Sequence, residues 1–91
     1  MKTYIFSYNN HSEYTKTELD SILMNILSKI GDFKKDMKYS FIIASNRNAQ
    51  FIADKIIDEV PKLRFFITEI ASNRQGWLPK ETWDFIKENS D

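Results

Sequence analysis

The sequence lacks several residue types on which whole classes of protein function depend. It has no cysteine, which excludes disulfide bonds, thiolate metal ligands and cysteine nucleophiles and agrees with a reducing compartment. Its single histidine is His11, so a metal cluster of His and Cys ligands cannot be built within one chain. The two glycines, Gly31 and Gly76, stand far apart, which excludes a glycine-rich phosphate loop.

The sequence also has no net charge and no long apolar run. Thirteen basic and thirteen acidic side chains cancel, so any attraction to nucleic acid or to an anionic membrane has to be local. No apolar run reaches the roughly 18 to 20 residues of a membrane-spanning helix. The first eight residues have the pattern of a strand and not of a signal peptide. We therefore expect a cytoplasmic protein that makes no contact with membranes.

The residues that are present supply one small core. The 91 residues, 42% hydrophobic and 14% aromatic, suit a single domain over residues 1–91. Apolar side chains alternate along residues 3–8, which predicts a strand. Thr15 and Glu18 have the spacing of a capping box, and an apolar stripe at helical spacing follows as far as Ile30. Gly31 is the predicted end of that helix.

The rest of the chain predicts two more strands, a helix, a strand and a short helix. The predicted ranges are Phe33 to Met37, Tyr39 to Ala44, a helix capped by Asn46 or Asn48 and ended by Pro61, Arg64 to Ile70, and Leu78 to Asn89. Because connections are short and right-handed, this order predicts an α+β domain of the ferredoxin-like βαββαβ type. Two helices should cover one face of a four-stranded antiparallel sheet, with the short C-terminal helix as an addition.

Large apolar side chains occupy both faces of the predicted sheet, and alternation alone does not decide which set meets the helices. The remaining set would form an exposed apolar patch, which soluble monomers rarely keep uncovered. Three covers are conceivable: the chain's own segment from Trp77 to Ile86, a second copy of the protein, or stacked nucleobases. The second copy is the preferred cover, and the predicted dimer interface consists of Tyr4, Phe6, Tyr39, Phe41, Trp77 and Trp83.

Positive charge is concentrated in the predicted hairpin and in two loops. The candidate nucleic-acid-binding residues are Lys34, Lys35, Lys38, Arg47 and Arg74, which would contact phosphates if they shared one edge of the domain. A second interpretation is open, because Asp32 and Asp36 interleave with the lysines. Charged side chains on an edge strand commonly serve to prevent strand pairing between molecules.

Several short stretches together resemble the SinR-like proteins, which are small bacterial and mobile-element proteins related to the second CRISPR-associated adaptation protein and to the VapD ribonucleases. The stretches are Lys2-Thr3-Tyr4-Ile5-Phe6-Ser7-Tyr8, Tyr39-Ser40-Phe41-Ile42-Ile43-Ala44-Ser45, a helix with Ile52 and Ile56, and Gly76-Trp77-Leu78-Pro79-Lys80 with Trp83. The resemblance implies a ferredoxin-like homodimer whose sheets face each other. In some relatives it also implies DNA binding or a metal-dependent nuclease.

The resemblance breaks at one position that matters for catalysis. In the relatives with nuclease activity, the first strand ends in Tyr followed by an Asp that is the proposed Mg²⁺ ligand. Here Tyr8 is followed by Asn9 and Asn10, whose amide oxygens are neutral and weaker ligands.

We therefore expect a homodimeric, non-catalytic binding or accessory protein that needs no cofactor and acts on nucleic acid or on a complex that handles it. One alternative is a divergent Mg²⁺-dependent endoribonuclease with a site formed by Asn9, Asn10, Asp32 and Asp36. Another is an inhibitor, encoded by a mobile element, that binds a host defence enzyme through its surface.

Overall fold

The computed structural model describes residues 1–90. Its elements, in chain order, are β1 (Lys2–Tyr8), α1 (Lys16–Ser28), β2 (Asp32–Met37), β3 (Ser40–Ser45), α2 (Ala49–Glu59), β4 (Phe65–Glu69) and α3 (Lys80–Asn89). The strands form one sheet in the order β2-β3-β1-β4, and every neighbouring pair is antiparallel. This arrangement confirms the predicted α+β, ferredoxin-like fold. No helix within residues 1–90 has the length and apolar character needed to cross a membrane.

The central strand β1 defines two ends of the sheet. At the Lys2 end lie the start of β1 and the end of β3, since Lys2 pairs with Ser45. At the Tyr8 end, Tyr8 pairs with Phe65, so β4 begins there. The start of β2 lies at the Lys2 end, because Asp32 pairs with Ala44. Loops and charged side chains at the same end of the sheet lie near each other, and those at opposite ends do not.

The helices α1 and α2 pack on the face of the sheet that carries the large aromatic side chains. Phe6 and Phe41 are completely buried there, and Tyr4 keeps only 2% of its surface exposed. The apolar stripes of the helices complete the same core, with buried Leu19, Leu23, Leu27, Ile52 and Ile56. Burial of this kind stabilises a fold by about 2 kcal/mol for each large side chain. The side chains that meet the helices are therefore the set that contains Tyr4, Phe6 and Phe41, which alternation alone could not decide.

The helix starts follow the predicted capping chemistry. The Thr15 hydroxyl accepts a hydrogen bond from the Glu18 amide, and the Glu18 carboxylate accepts one from the Thr15 amide, which completes the capping box of α1. Of the two asparagines considered for α2, Asn48 is the cap, because its side-chain oxygen accepts a hydrogen bond from the Phe51 amide at 2.8 Å.

Gly31 is needed for a different reason than the one predicted. The helix α1 already ends at Ser28, and Gly31 does not adopt a left-handed conformation. Instead it lies against β3, where a Cβ atom would approach the Ala44 carbonyl oxygen to 2.1 Å and the Ser45 Cβ to 3.0 Å. The close passage of the chain beneath β3 therefore depends on the missing side chain at this position.

The second face of the sheet, opposite α1 and α2, is covered in part by α3. Ile86 of this helix is 2% exposed, and the side chains beneath it, Thr3 and Ala44, are 1% and 0% exposed. The Thr3 hydroxyl is 2.9 Å from the Ser90 hydroxyl, which fixes the last residues of the helix to β1. Of the three predicted covers, the chain's own C-terminal segment is thus the one that occupies part of this face.

Candidate binding groove

The second face presents its side chains in rows that run across the strands. Strand pairing places Met37 beside Ser40, Ser40 beside Ser7 and Ser7 beside Phe66, all at the Tyr8 end of the sheet. We call these four residues the serine row. The adjacent row contains Lys34, Ile42, Ile5 and Thr68, and the row at the Lys2 end contains Asp32, Ala44 and Thr3.

Helix α3 covers the row at the Lys2 end and leaves the serine row open. Ser7 is exposed and its hydroxyl is 3.2 Å from that of Ser40. The middle of the row therefore consists of short, polar side chains. The two apolar ends of the row stand out into solvent, with Phe66 67% and Met37 40% exposed. Ser40 and Ser7 separate these two side chains, so they are single exposed apolar groups and not one contiguous apolar patch.

An apolar groove of about 460 Å³ lies between the sheet, α3 and the loop that precedes α3. Its floor includes Ile5 and Ile42, and α3 contributes Trp83 and Ile86 to one wall. The loop contributes Trp77, which is 88% exposed and is the most exposed large apolar side chain among residues 1–90. We call this feature the Trp77 groove.

Local hydrogen bonds hold the loop that carries Trp77. The Ile70 amide donates to the Thr3 carbonyl at 2.8 Å, so the chain stays beside β1 for one residue beyond β4. Arg74 then closes a tight turn, because its amide donates to the Ser72 carbonyl and its guanidinium donates to the Ala71 carbonyl. Pro79 precedes the first turn of α3, a position at which proline costs no hydrogen bond. These contacts anchor the chain before Trp77, and α3 begins three residues after it.

The five candidate nucleic-acid-binding residues do not form one patch. Lys38 lies in the β2–β3 turn at the Tyr8 end, whereas Arg47 follows β3 and Arg74 follows β4 at the Lys2 end. Lys34 is half-buried on the second face and Lys35 projects toward the helix-covered face. A phosphate backbone could not contact all five along one continuous path.

Lys35 has a structural role that accounts for its position. Its ammonium donates hydrogen bonds to the Tyr8 hydroxyl at 2.8 Å and to the carbonyls of Met37 and Lys38 at 3.0 and 2.8 Å. These three bonds use all of its protons. Burial lowers the pKa of the Lys35 ammonium. The side chain therefore fastens the β2–β3 turn to the core and has no proton left for a phosphate.

Asp20 on α1 lies next to this lysine and completes a polar cluster. Its carboxylate accepts hydrogen bonds from the Tyr8 hydroxyl and the Lys16 ammonium. Burial by itself would raise the pKa of Asp20, but these hydrogen bonds and the charges of Lys35 and Lys16 hold it below its ordinary value. Burial and the hydrogen bond to Asp20 raise the pKa of the Tyr8 phenol. The cluster joins α1 to the Tyr8 end of the sheet, and its groups satisfy one another.

The residues of the alternative nuclease site are far apart. Asn9 and Asn10 follow β1 at the Tyr8 end, while Asp32 begins β2 at the Lys2 end and is separated from β1 by β3. Asp36 lies near the other end of β2, on the edge of the sheet. Within residues 1–90 no group of three or more His, Asp or Glu side chains is placed to hold a metal ion.

His11 forms a bridge between two loops. Its Nδ1 atom accepts a hydrogen bond from the Glu13 amide at 3.1 Å, and its Nε2 atom lies 3.0 Å from the Pro61 carbonyl. An Nε2 proton satisfies both contacts in the neutral ring. The histidine thereby connects the loop after β1 to the loop after α2, which is a structural role.

The predicted interface aromatics divide between the two faces. Tyr4, Phe6 and Phe41 lie in the helix-covered core and do not reach the surface, so the prediction that placed them at a dimer interface is wrong. Tyr39 is half-buried at the margin of the same core, edge-on to Tyr8. Burial in the core also removes these rings as a platform for nucleobases. Of the predicted interface residues, Trp77 and Trp83 are the two on the second face.

The predicted interface left out two exposed apolar residues of the second face, Phe66 and Met37. The available signal for Phe66 was its position next to Phe65, since one of two adjacent aromatics in a strand must point away from the helices. Met37 could not be assigned in this way, because the pairing of β2 with β3 shifts between Lys34 and Met37.

Comparisons with protein-family models, with curated proteins and with solved structures found no match for this chain. The resemblance to the SinR-like proteins therefore stays a prediction.

Proposed function

We propose that this chain is a small, non-catalytic binding protein that acts as a homodimer and holds an apolar segment of a partner protein in the Trp77 groove. The observation that carries the proposal is Trp77 itself, which is 88% exposed at the rim of an apolar recess. Tryptophan is among the residue types most enriched in the few side chains that dominate the energy of a protein interface.

The size and lining of the groove fit one or two apolar side chains of a peptide segment. A volume of about 460 Å³ lies within the range of about 300 to 1,000 Å³ that is usual for binding sites. The floor and one wall are aliphatic or aromatic, and the loop rim adds the polar side chains of Asn73, Arg74 and Gln75. An apolar centre with a polar rim is the usual composition of a protein-binding surface.

The charge distribution favours a protein partner over nucleic acid. Arg74 is the only candidate phosphate-binding residue on the groove, and one of its five guanidinium N–H groups donates to the Ala71 carbonyl. Glu69 also lines the groove, which adds a negative charge where a phosphate would approach. The resemblance to the SinR-like proteins suggests that the partner belongs to a complex that handles nucleic acid.

A display library of random 12-residue peptides, selected against the protein, tests this proposal. We expect the selected peptides to be rich in Leu, Ile, Phe and Trp and to lose about tenfold or more in affinity when Trp77→Ala replaces the wild type. Because Trp77 is exposed, this variant should keep the stability of the wild type.

Ile57→Ala is the matched control. It removes another exposed apolar side chain, 51% exposed, from the outer surface of α2, away from the groove. Selected peptides should bind this variant as they bind the wild type. Peptides that bind Trp77→Ala with unchanged affinity, or that are acidic and not apolar, would contradict the proposed site.

A further inference from the structure

The two edge strands of the sheet differ sharply in how they are protected from pairing. The β2 edge carries four charged residues in a row of five, Asp32, Lys34, Lys35 and Asp36, and its pairing with β3 is irregular between Lys34 and Met37. Charges and irregularity of this kind prevent a strand from adding to another molecule. The β4 edge carries only one charged residue, Glu69 at its end, whereas residues 65–68 are Phe-Phe-Ile-Thr and pair regularly with β1.

The free backbone groups of β4 can be assigned from its hydrogen bonds to β1. The Asn9 amide donates to the Arg64 carbonyl and the Ile70 amide donates to the Thr3 carbonyl, so the even-numbered residues of β4 face β1. The amides and carbonyls of Phe65, Ile67 and Glu69 therefore point outward. Within residues 1–90 no strand lies on that side, since β4 is the last strand of the sheet.

We propose that two copies of this chain join through antiparallel pairing of their β4 strands, with the two-fold axis at Ile67. In this register the outward groups of Phe65, Ile67 and Glu69 meet those of the partner's Glu69, Ile67 and Phe65. About six backbone hydrogen bonds would form, two for each pair. The two four-stranded sheets then become one continuous sheet.

The side chains on the second face are compatible with this pairing. Phe66, 67% exposed, comes opposite the partner's Thr68, and the two Phe66 rings lie diagonally across the axis, within reach of each other. Residues 65–68 carry no charge, and no like charges come to lie opposite each other. Glu69 faces an uncharged residue, and within its own chain it already pairs with Lys2 at 3.4 Å.

This inference rests on the homodimer of the proposed function and names its interface, but it is independent of the Trp77 groove. Five paired residues bury less area than a standard protein interface, so we expect a dimer with a dissociation constant in the micromolar range. The interface would also cover Phe66, the exposed end of the serine row.

Single cysteines test the register, because the chain has none of its own. Phe66→Cys and Thr68→Cys are prepared separately, one of them with a size tag, then mixed and oxidised. The pairing places these positions directly opposite each other as a non-hydrogen-bonded pair, with Cα atoms about 4.5 Å apart, which lies within the range of about 4.4 to 6.8 Å that a disulfide spans. We expect the mixed disulfide dimer to predominate over either self-linked dimer. A mixture of Phe66→Cys with Ser21→Cys, on the outer side of α1, should remain largely unlinked.

Phe66→Lys tests the dimer itself in sedimentation velocity over a range of concentrations. Its exposed position makes the substitution compatible with the fold, and it places two lysines near the axis. We expect at least a tenfold weaker dimer, whereas Ile57→Lys, which also replaces an exposed apolar residue, should dimerise as the wild type does. A dimer unaffected by Phe66→Lys would overturn the β4 interface and leave the homodimer standing. A wild type that stays monomeric at several hundred micromolar would overturn both, and peptide binding by the groove would still be tested separately.

Discussion

The two glycines of this chain sit in opposite environments, although neither adopts a left-handed conformation. A Cβ on Gly31 would meet the Ala44 carbonyl oxygen at 2.1 Å, which is far inside any tolerated contact, whereas a Cβ on Gly76 would meet nothing within 4 Å. Gly31 is therefore required because there is no space for a side chain, whereas Gly76 is not required on steric grounds.

Gly31→Ala should therefore lower the free energy of unfolding by about 3 kcal/mol, because either β3 or the α1–β2 connection has to move. The measurement is urea denaturation followed by circular dichroism. Gly76→Ala is the control and should change the stability by less than about 0.5 kcal/mol. Equal stabilities of the two variants would show that the chain relaxes freely around Gly31.

Asp20 gives the protein a specific sensitivity to acid. Its carboxylate has a lowered pKa in the folded protein, so its contribution to stability is complete above the pKa of the unfolded chain, about 3.9, and is lost as the pH falls through the lower, folded value. Asp20→Asn should cost about 1 to 2 kcal/mol at pH 7, because the hydrogen bonds from Tyr8 and Lys16 lose their charged acceptor.

Urea denaturation from pH 7 to pH 3 checks this prediction. The difference between the wild type and Asp20→Asn should begin to shrink below about pH 3.9, where the unfolded chain binds the proton more readily than the folded protein does. Asp58→Asn removes an exposed carboxylate of α2 and should differ from the wild type by no more than about 0.5 kcal/mol at neutral pH. A difference for Asp20→Asn that stays constant across the series would contradict the assigned role of the charge.

At the scale of elements, local chemistry predicted the secondary structure well. The capping box at Thr15 marks the start of α1, and β2, although polar, was predicted over residues 33–37 and is observed over Asp32–Met37. The short third helix was predicted from Leu78 and begins at Lys80. These features depend on neighbours in the sequence, so the sequence carries enough information to place them.

The placement of the faces could not be predicted in the same way. Phe6 and Ile5 are adjacent in β1 and point to opposite faces of the sheet. Both are apolar enough for a core, so the alternation of side chains does not show which face is buried. The two faces become different only in the folded protein. The apolar stripes of α1 and α2 cover one face, and the shorter helix α3 covers only part of the other. Phe6 therefore becomes fully buried and Ile5 becomes part of the groove floor. The lining of the groove depends on which face the helices cover, and this could not be predicted from the sequence. For this reason Tyr4, Phe6 and Phe41 were predicted at an interface and lie in the core.

Helix α3 should be attached chiefly by Ile86. This side chain is 2% exposed against the second face, whereas Lys87 beside it is exposed. Ile86→Ala should destabilise the docked helix by about 3 kcal/mol through the cavity that it creates. Lys87→Ala should leave the docking unchanged.

Tryptophan fluorescence reports on this docking when Trp77→Phe leaves Trp83 as the single emitter. Trp83 is half-buried beside the groove, so undocking of α3 should shift its emission to longer wavelength before the rest of the domain unfolds. Emission that stays unchanged in Ile86→Ala at native conditions would show that the helix is held by other contacts.

At the scale of the whole molecule, charge is balanced in number and dispersed in space. The five candidate phosphate-binding residues are divided between the two ends of the sheet, and Lys35 is fully engaged in hydrogen bonds. A neutral protein without a continuous basic path gains little from counterion release.

We therefore expect labelled 20-nucleotide RNA and DNA to show no saturable binding below about 100 µM at 150 mM salt. Fluorescence anisotropy gives the affinity, and gel electrophoresis of the same samples with Mg²⁺ and with chelator reports any cleavage. Micromolar binding that weakens steeply with salt would favour the nucleic-acid interpretation. Cleavage that stops with chelator would favour the ribonuclease alternative.

The cover of the second face has a consequence for how the protein is made. Helix α3 follows all four strands in the chain, so a ribosome finishes the sheet before it supplies the helix that shields Thr3 and Ala44. During that interval the nascent domain exposes an apolar surface on the side that α1 and α2 do not reach. Misassociation before α3 docks should therefore begin on this side of the sheet.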